Sequence, residues 1–150
     1  MPLARLFAMA LRSLIDDLHQ RLGERGWPDI RPLHGFALLA VRDGDPPATV
    51  VSLAGLLGVT KQAASKLVTS LEQHGYVRRV AHADDGRAKA LALTDRGARL
   101  LATVEEVYAE IEAEWTGILG PGRLDAVRHD LLHVLRATHD GHLPAIRPTW

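Results

Sequence analysis

The sequence predicts a mainly α-helical fold carrying one small β-hairpin, and three observations lead there. Apolar residues recur at i, i+3, i+4 and i+7 over long stretches near both ends of the chain, the spacing of amphipathic helices. Aromatic residues are 5% of a chain that is 47% hydrophobic, so the core must be mostly Leu, Val and Ala, which favours helices. Only Tyr76 to Leu93 shows the alternation and polar turn of paired strands. A length of 150 residues fits a single domain, 1–150, with a sizeable core.

Leu3 to Leu22 is expected as the first helix, with Leu3, Leu6, Phe7, Ala10, Leu11, Leu14, Ile15, Leu18 and Leu22 on one face. That stripe is wider than a lone terminal helix needs and should be buried on another element or another chain. Arg12, Asp16 and Asp17 interrupt the apolar start and no small-residue cleavage site follows, so it reads as a helix and not as a secretory leader. No apolar run approaches the roughly 20 residues of a membrane span, and the expected location is the cytoplasm, with no membrane partner. The helix ends near Gly23 and Gly26, and Trp27-Pro28 is a loop.

Pro32 suits the first turn of a second helix, His34 to Val41. The run Asp43-Gly44-Asp45-Pro46-Pro47 breaks the chain, and Ala48 to Val51 reads as one minor strand. Ser52 is expected to cap a short helix, Leu53 to Leu57, which Gly58 stops. Thr60 caps the next helix, Lys61 to His74, and Gly75 stops it. Two short helices joined by a glycine-containing turn are a helix-turn-helix pattern.

A hairpin follows: Tyr76 to Ala81, a polar turn at His82 to Gly86, then Arg87 to Leu93, with Leu91 and Leu93 expected on one face and Lys89 on the other. Thr94 caps a long helix from Asp95 to about Leu119, and Asp95 complements its dipole. Gly120-Pro121-Gly122 is a hinge, Leu124 to His139 is the last helix, and the tail from Asp140 to Trp150 is expected to be loosely held.

The formal net charge of zero hides a pattern. Residues 60–99 hold eight basic and four acidic side chains, whereas residues 100–150 hold four basic and eight acidic. A basic module beside an acidic helix pair suggests a polyanion-binding part and a separate scaffold. On the helix from Lys61 to His74, Ala64, Leu67, Val68 and Leu71 share one face. The opposite face presents Lys61, Gln62, Ser65, Lys66 and Thr69, without an acid. Amide and ammonium groups so placed can pair with base edges and phosphates in a major groove. Arg87 at the hairpin tip can enter a narrow minor groove. The expected DNA contacts are therefore Ser52, Thr60, Lys61, Gln62, Ser65, Lys66, Thr69, Arg78, Arg87 and Lys89.

The segment GVTKQAASKLVTSLEQHGYVRR followed by DDGRAKALALTDRGARLL resembles the MarR family of bacterial transcriptional regulators. The matching features are the Thr60-capped helix, Leu71-Glu72 before Gly75-Tyr76-Val77, Asp85-Gly86-Arg87 in the wing, and Leu93-Thr94 with Gly97 opening the long helix. The resemblance implies a winged helix-turn-helix lobe at residues 33–99. It implies a homodimer made through helices in 1–26 and 100–143. It further implies binding of double-stranded DNA at a roughly palindromic promoter site, usually as a repressor. Asp85 is carried over as a support that orients Arg87. The family often releases DNA when a small aromatic or anionic effector binds, and Trp27, His34, Phe36 and Leu39 are the residues here that would line such a cleft. No cofactor is implied, and with no cysteine a thiol-based oxidant sensor is excluded.

Other classes are weaker. His129 and His133 are at i, i+4 with Asp130, His139 and His142 nearby, a spacing that can chelate a divalent metal in a metal-responsive regulator. An enzyme lacks its usual signatures, since no Gly-rich phosphate loop, HExxH or GxSxG is present. The acids between Glu105 and Glu114 read as the solvated face of a long helix. A winged helix used only as a protein-interaction module is the third class, and the basic excess of residues 60–99 argues against it.

Overall fold

The computed structural model describes residues 1–81 and 89–146. In order, its elements are α1 (Leu3–Glu24), α2 (Pro32–Asp43), α3 (Val50–Leu57), α4 (Lys61–Gln73), β1 (Val77–Ala81), β2 (Lys89–Leu93), α5 (Asp95–Leu119) and α6 (Arg123–Thr138). The mainly α architecture with a two-stranded hairpin is the expected one. The tip of the hairpin, with Asp85 and Arg87, lies outside the described residues.

Helix ends differ from expectation where a local group outweighs propensity. α1 runs on to Glu24 because Gly23 stays helical, and it closes where the Trp27 N–H donates to the Leu22 carbonyl at 2.9 Å. α2 begins at Pro32, whose fixed φ suits a first turn. α3 begins three residues before Leu53, and its N-cap is Thr49, not Ser52. The Ser52 N–H donates to Thr49 Oγ1 at 3.2 Å and the Thr49 N–H donates to Ser52 Oγ at 2.8 Å, a reciprocal capping box. Such a cap contributes about 1 kcal/mol, enough to hold the β-branched Val50 and Val51 in a helix against a cost of a few tenths each. The expected minor strand at Ala48 to Val51 is thereby reduced to one rung, the Leu91 N–H donating to the Ala48 carbonyl at 2.8 Å.

β1 and β2 are antiparallel, with Val77 opposite Leu93 and Ala81 opposite Lys89. Lys89 has the same parity as Leu91 and Leu93 and therefore stands on their face, contrary to expectation. It is exposed because it sits at the outer end of the strand, whereas Ala90 and Leu91 are both buried.

The core joins the second half of α1 to α2, α3, α4 and the first two thirds of α5. Leu22, Leu38, Leu53, Leu57, Val68, Leu71, Leu100, Leu101, Val107 and Ile111 are its largest fully buried side chains. The first half of α1 lies outside this core, as does all of α6, which has no buried residue. The acids of α5 are not merely solvated. Arg21 of α1 and Arg25, which caps its C-terminus, pair with Glu114 at 2.9 Å and Glu110 at 2.6 Å, Arg42 of α2 pairs with Glu105, and Arg128 of α6 pairs with Glu112 at 2.8 Å. The acidic stripe is thus a seam that three other helices grip. The tail also finds a partner, the Ile146 N–H donating to the Leu56 carbonyl of α3 at 3.1 Å.

Candidate DNA interface

The polar face of α4 is held outward by its apolar one. Ala64, Val68 and Leu71 are 0% exposed, which fixes the helix by its inner side. Thr60 caps the helix, its Oγ1 accepting from the Ala63 N–H at 3.1 Å. The hydroxyl proton of Thr60 stays available to an acceptor. At the other end, Gly75 takes the left-handed conformation (φ +73°), and the Tyr76 N–H donates to the Leu71 carbonyl at 2.9 Å. Gly58 does the same for α3 with φ +64°. These two glycines set the turn between α3 and α4 and the exit into β1.

Lys61, Gln62, Ser65, Lys66 and Thr69 are all exposed. No side-chain hydrogen bond or ion pair engages them among the described residues. Glu72, the acid on the same helix, is occupied by Arg79 at 3.1 Å. Arg78, opposite Ala92 near the base of the hairpin, and Lys89, at its outer end, are both exposed. Ser52 is different. Its hydroxyl accepts from the Thr49 N–H and donates to the Thr49 carbonyl at 3.0 Å, so the cap uses the donor that a phosphate would need.

The module is tied to α5 by a junction that no periodicity reveals. The Thr94 N–H donates to the Tyr76 carbonyl at 3.0 Å, and Thr94 Oγ1 donates to the Gly75 carbonyl while accepting from the Gly97 N–H at 3.0 Å. Arg96 lies over Trp27 at 5.2 Å and over Tyr76 at 5.3 Å, so this cation is stacked on aromatic faces rather than offered to a polyanion. Gly97 sits against the Tyr76 backbone, where an added Cβ would fall 2.0 Å from the carbonyl oxygen. The start of α5 therefore moves with the end of α4 and with β1.

The four expected effector residues do not meet in one cleft. Phe36 and Leu39 line a cavity of about 30 Å³, too small for an aromatic molecule, with Leu22, Val104 and Tyr108. His34 is buried and faces a separate polar cleft with His74, and Trp27 packs on Tyr76 with ring centroids 6.0 Å apart. A larger cleft of about 620 Å³ lies between α1 and the start of α2, lined by Leu11, Arg12, Ile15, His19, Arg31 and Leu33. His19 Nε2 is buried there without a partner among the described residues, and burial holds the His19 pKa below its ordinary value despite Asp16. His129 and His133 stand exposed on α6. No group of three or more His, Asp or Glu side chains placed to hold a metal occurs among the described residues. No helix among the described residues is long and apolar enough to cross a membrane.

A capped, outward-facing α4 behind a glycine turn, followed by a hairpin and a long helix, defines a winged helix-turn-helix of the DNA-binding regulator class. Comparison with known proteins agrees. The MarR family model matches residues 29–88. Wild-type MarR from E. coli, in its apo form, is 25% identical over 90% of this chain and 98% of that one, with a TM-score of 0.72. The transcriptional regulator Tm0710 from Thermotoga maritima is 25% identical over 93% and 94%, with a TM-score of 0.62. MepR of S. aureus, solved as a complex with DNA, is 22% identical over 91% and 98%, with a TM-score of 0.73. The chain thus shares the winged helix-turn-helix fold of MarR-type transcription regulators.

Proposed function

We propose that this protein is a cytoplasmic homodimeric repressor that binds a roughly palindromic promoter site and lets go when a small effector binds. The observation that carries the DNA reading is the α4 face itself: five exposed donors, no free acid among the described residues, and an opposite side anchored by the fully buried Ala64, Val68 and Leu71. Lys61 and Lys66 are assigned to phosphates, Gln62, Ser65 and Thr69 to base edges and neighbouring phosphates, and Arg78 and Lys89 to the flanking backbone. Arg87 is assigned to the minor groove, with Asp85 orienting it. The S. aureus MepR complex with DNA supports this use of the fold.

The dimer reading rests on apolar surface left without a partner. Leu3, Leu6, Phe7 and Leu11 on α1 are exposed together with Ile118 and Leu119 of α5 and Val127, Leu131, Val134 and Leu135 of α6. Contiguous apolar surface on this scale marks an interface. A second copy related by a two-fold axis covers both stripes at once and brings two α4 helices to successive major grooves. The cleft between α1 and α2 has the volume and the mixture of apolar walls with Arg12, Arg31 and His19 that suit a small aromatic or anionic effector.

A mobility-shift assay on the DNA upstream of the protein's own gene tests the reading. Binding should weaken by roughly 10³-fold or more between 50 and 200 mM salt if about six phosphates are contacted. Absence of any salt-sensitive shift would leave a protein-interaction module as the better reading.

A further inference from the structure

Arg96, in the first turn of α5, is an exposed cation that makes no ion pair among the described residues. Its guanidinium carbon stands 5.2 Å from the centre of the Trp27 ring and 5.3 Å from that of Tyr76. The two rings are 6.0 Å apart and tilted by 56°, so one planar cation serves both. The stem of Arg96 passes Gly75, its Cδ lying 3.7 Å from where a Cβ would stand, in space left open by the missing side chain.

Each partner belongs to a different segment. Trp27 lies in the loop between α1 and α2, and its N–H donation to the Leu22 carbonyl at 2.9 Å ties it to the end of α1. Tyr76 is 3% exposed and follows the last turn of α4, where His74 stacks on its ring at 5.8 Å and 10°. Arg96 thus joins the end of α1, the exit of α4 and the start of α5. At an exposed site such stacking adds little to stability, but its place gives it leverage. The junction sits at the C-terminal end of α4, whereas Thr60, Lys61 and Gln62 lie at the N-terminal end. Over 13 residues the helix is about 20 Å long, so a tilt of about 5° at the junction moves Lys61 and Gln62 by about 2 Å. A hydrogen bond to a base edge does not survive a shift of that size.

Resting on the assignment of α4 to DNA, we propose that Arg96 is a positioning residue and not a phosphate contact: stacked on Trp27 and Tyr76, it holds α4 at the angle to α1 that DNA recognition requires. Because α1 carries part of the apolar surface assigned to the dimer, that angle also sets the separation of the two α4 helices. Trp27 then serves this junction rather than an effector.

Fluorescence anisotropy of the full chain on a labelled duplex of the DNA upstream of its own gene, at several salt concentrations, tests this. The temperature is one at which circular dichroism shows every variant folded. Arg96→Gln and Trp27→Leu should each weaken binding about tenfold. The double variant should also lose about tenfold, since each change breaks the same unit. Trp27→Phe keeps an aromatic face and should bind within about threefold of wild type. The slope of log affinity against log salt should be unchanged in Arg96→Gln, because no phosphate contact is lost. A slope reduced by about one makes Arg96 a phosphate contact and overturns the proposal. Unchanged affinity in Arg96→Gln, or losses that multiply to about a hundredfold in the double variant, overturn it as well. A wild-type protein without salt-sensitive binding removes the DNA reading and this role together, whereas wild-type binding that Arg96→Gln leaves intact removes this role alone.

Discussion

Gly97→Ala sets two effects of opposite sign against each other. Gly97 is the third residue of α5, where alanine gains about 1 kcal/mol of helix propensity over glycine. Against this, the new Cβ would lie 2.0 Å from the Tyr76 oxygen, 2.9 Å from its carbonyl carbon and 3.2 Å from its Cα. These are backbone atoms and cannot rotate away. Reaching even a 3.0 Å contact requires α5 and β1 to part by about 1 Å. That movement stretches the 3.0 Å bond from the Thr94 N–H to the Tyr76 carbonyl and loosens the Arg96 stack on Trp27 and Tyr76. Overpacking of this kind costs about 1–3 kcal/mol and a lost hydrogen bond about 1 more, so the net destabilisation is about 1–3 kcal/mol. Thermal unfolding at equal protomer concentration should shift down by roughly 3–10 °C. Gly117→Ala is the control in the same helix: nothing lies within 4 Å of its added Cβ, and it should gain up to about 1 kcal/mol. If Gly97→Ala is as stable as Gly117→Ala, the close approach of α5 to the end of α4 is wrong.

Four further outcomes are expected. Arg87→Ala should weaken DNA binding by tenfold or more, measured by fluorescence anisotropy at moderate salt, while sedimentation still reports a dimer; unchanged affinity removes the wing from the interface. Gln62→Ala should relax base preference at one position by about 1–3 kcal/mol, and an equal loss over all sequences would limit Gln62 to a phosphate. Phe7→Glu places a charge on the exposed stripe of α1 and should convert the dimer to a monomer in analytical ultracentrifugation; an unaffected dimer puts the interface elsewhere. Burial holds the His34 pKa below the ordinary value near 6.5, so the unfolded chain takes up the proton first. Stability should be full above about pH 6.5 and decline as pH falls toward the folded-state pKa, less so in His34→Gln, and a flat urea midpoint between pH 7 and pH 5 contradicts this.

Much of the fold is legible in the sequence because the deciding groups are local. Gly58, Gly75 and Thr60 act within one turn of chain, and α5 runs over the expected residues from Asp95 to Leu119. The start of α3 is legible too, in the pairing of Thr49 with Ser52 three residues on, a local signal that opposes the strand preference of the β-branched Val50 and Val51. What periodicity cannot show is which distant groups meet. Arg96 contributes to the basic excess of residues 60–99, yet it is stacked between Trp27 and Tyr76. The acids of α5 answer arginines on α1, α2 and α6. Trp27, His34, Phe36 and Leu39 are close in sequence but point to different places, because a helix and the loop before it send neighbours to opposite sides. The exposed face of α4 is legible directly, since a single amphipathic helix with one buried side determines it.

Selection of binding sites from a random pool of DNA duplexes tests the central claim most directly. The full-length protein should enrich an inverted repeat whose half-site centres are about 10 base pairs apart, the spacing of two recognition helices on one side of the duplex. Gln62→Ala should blur that repeat at one position in each half. Enrichment of a single, non-repeated site, or of no sequence at all, would contradict a symmetric dimer that reads DNA through α4.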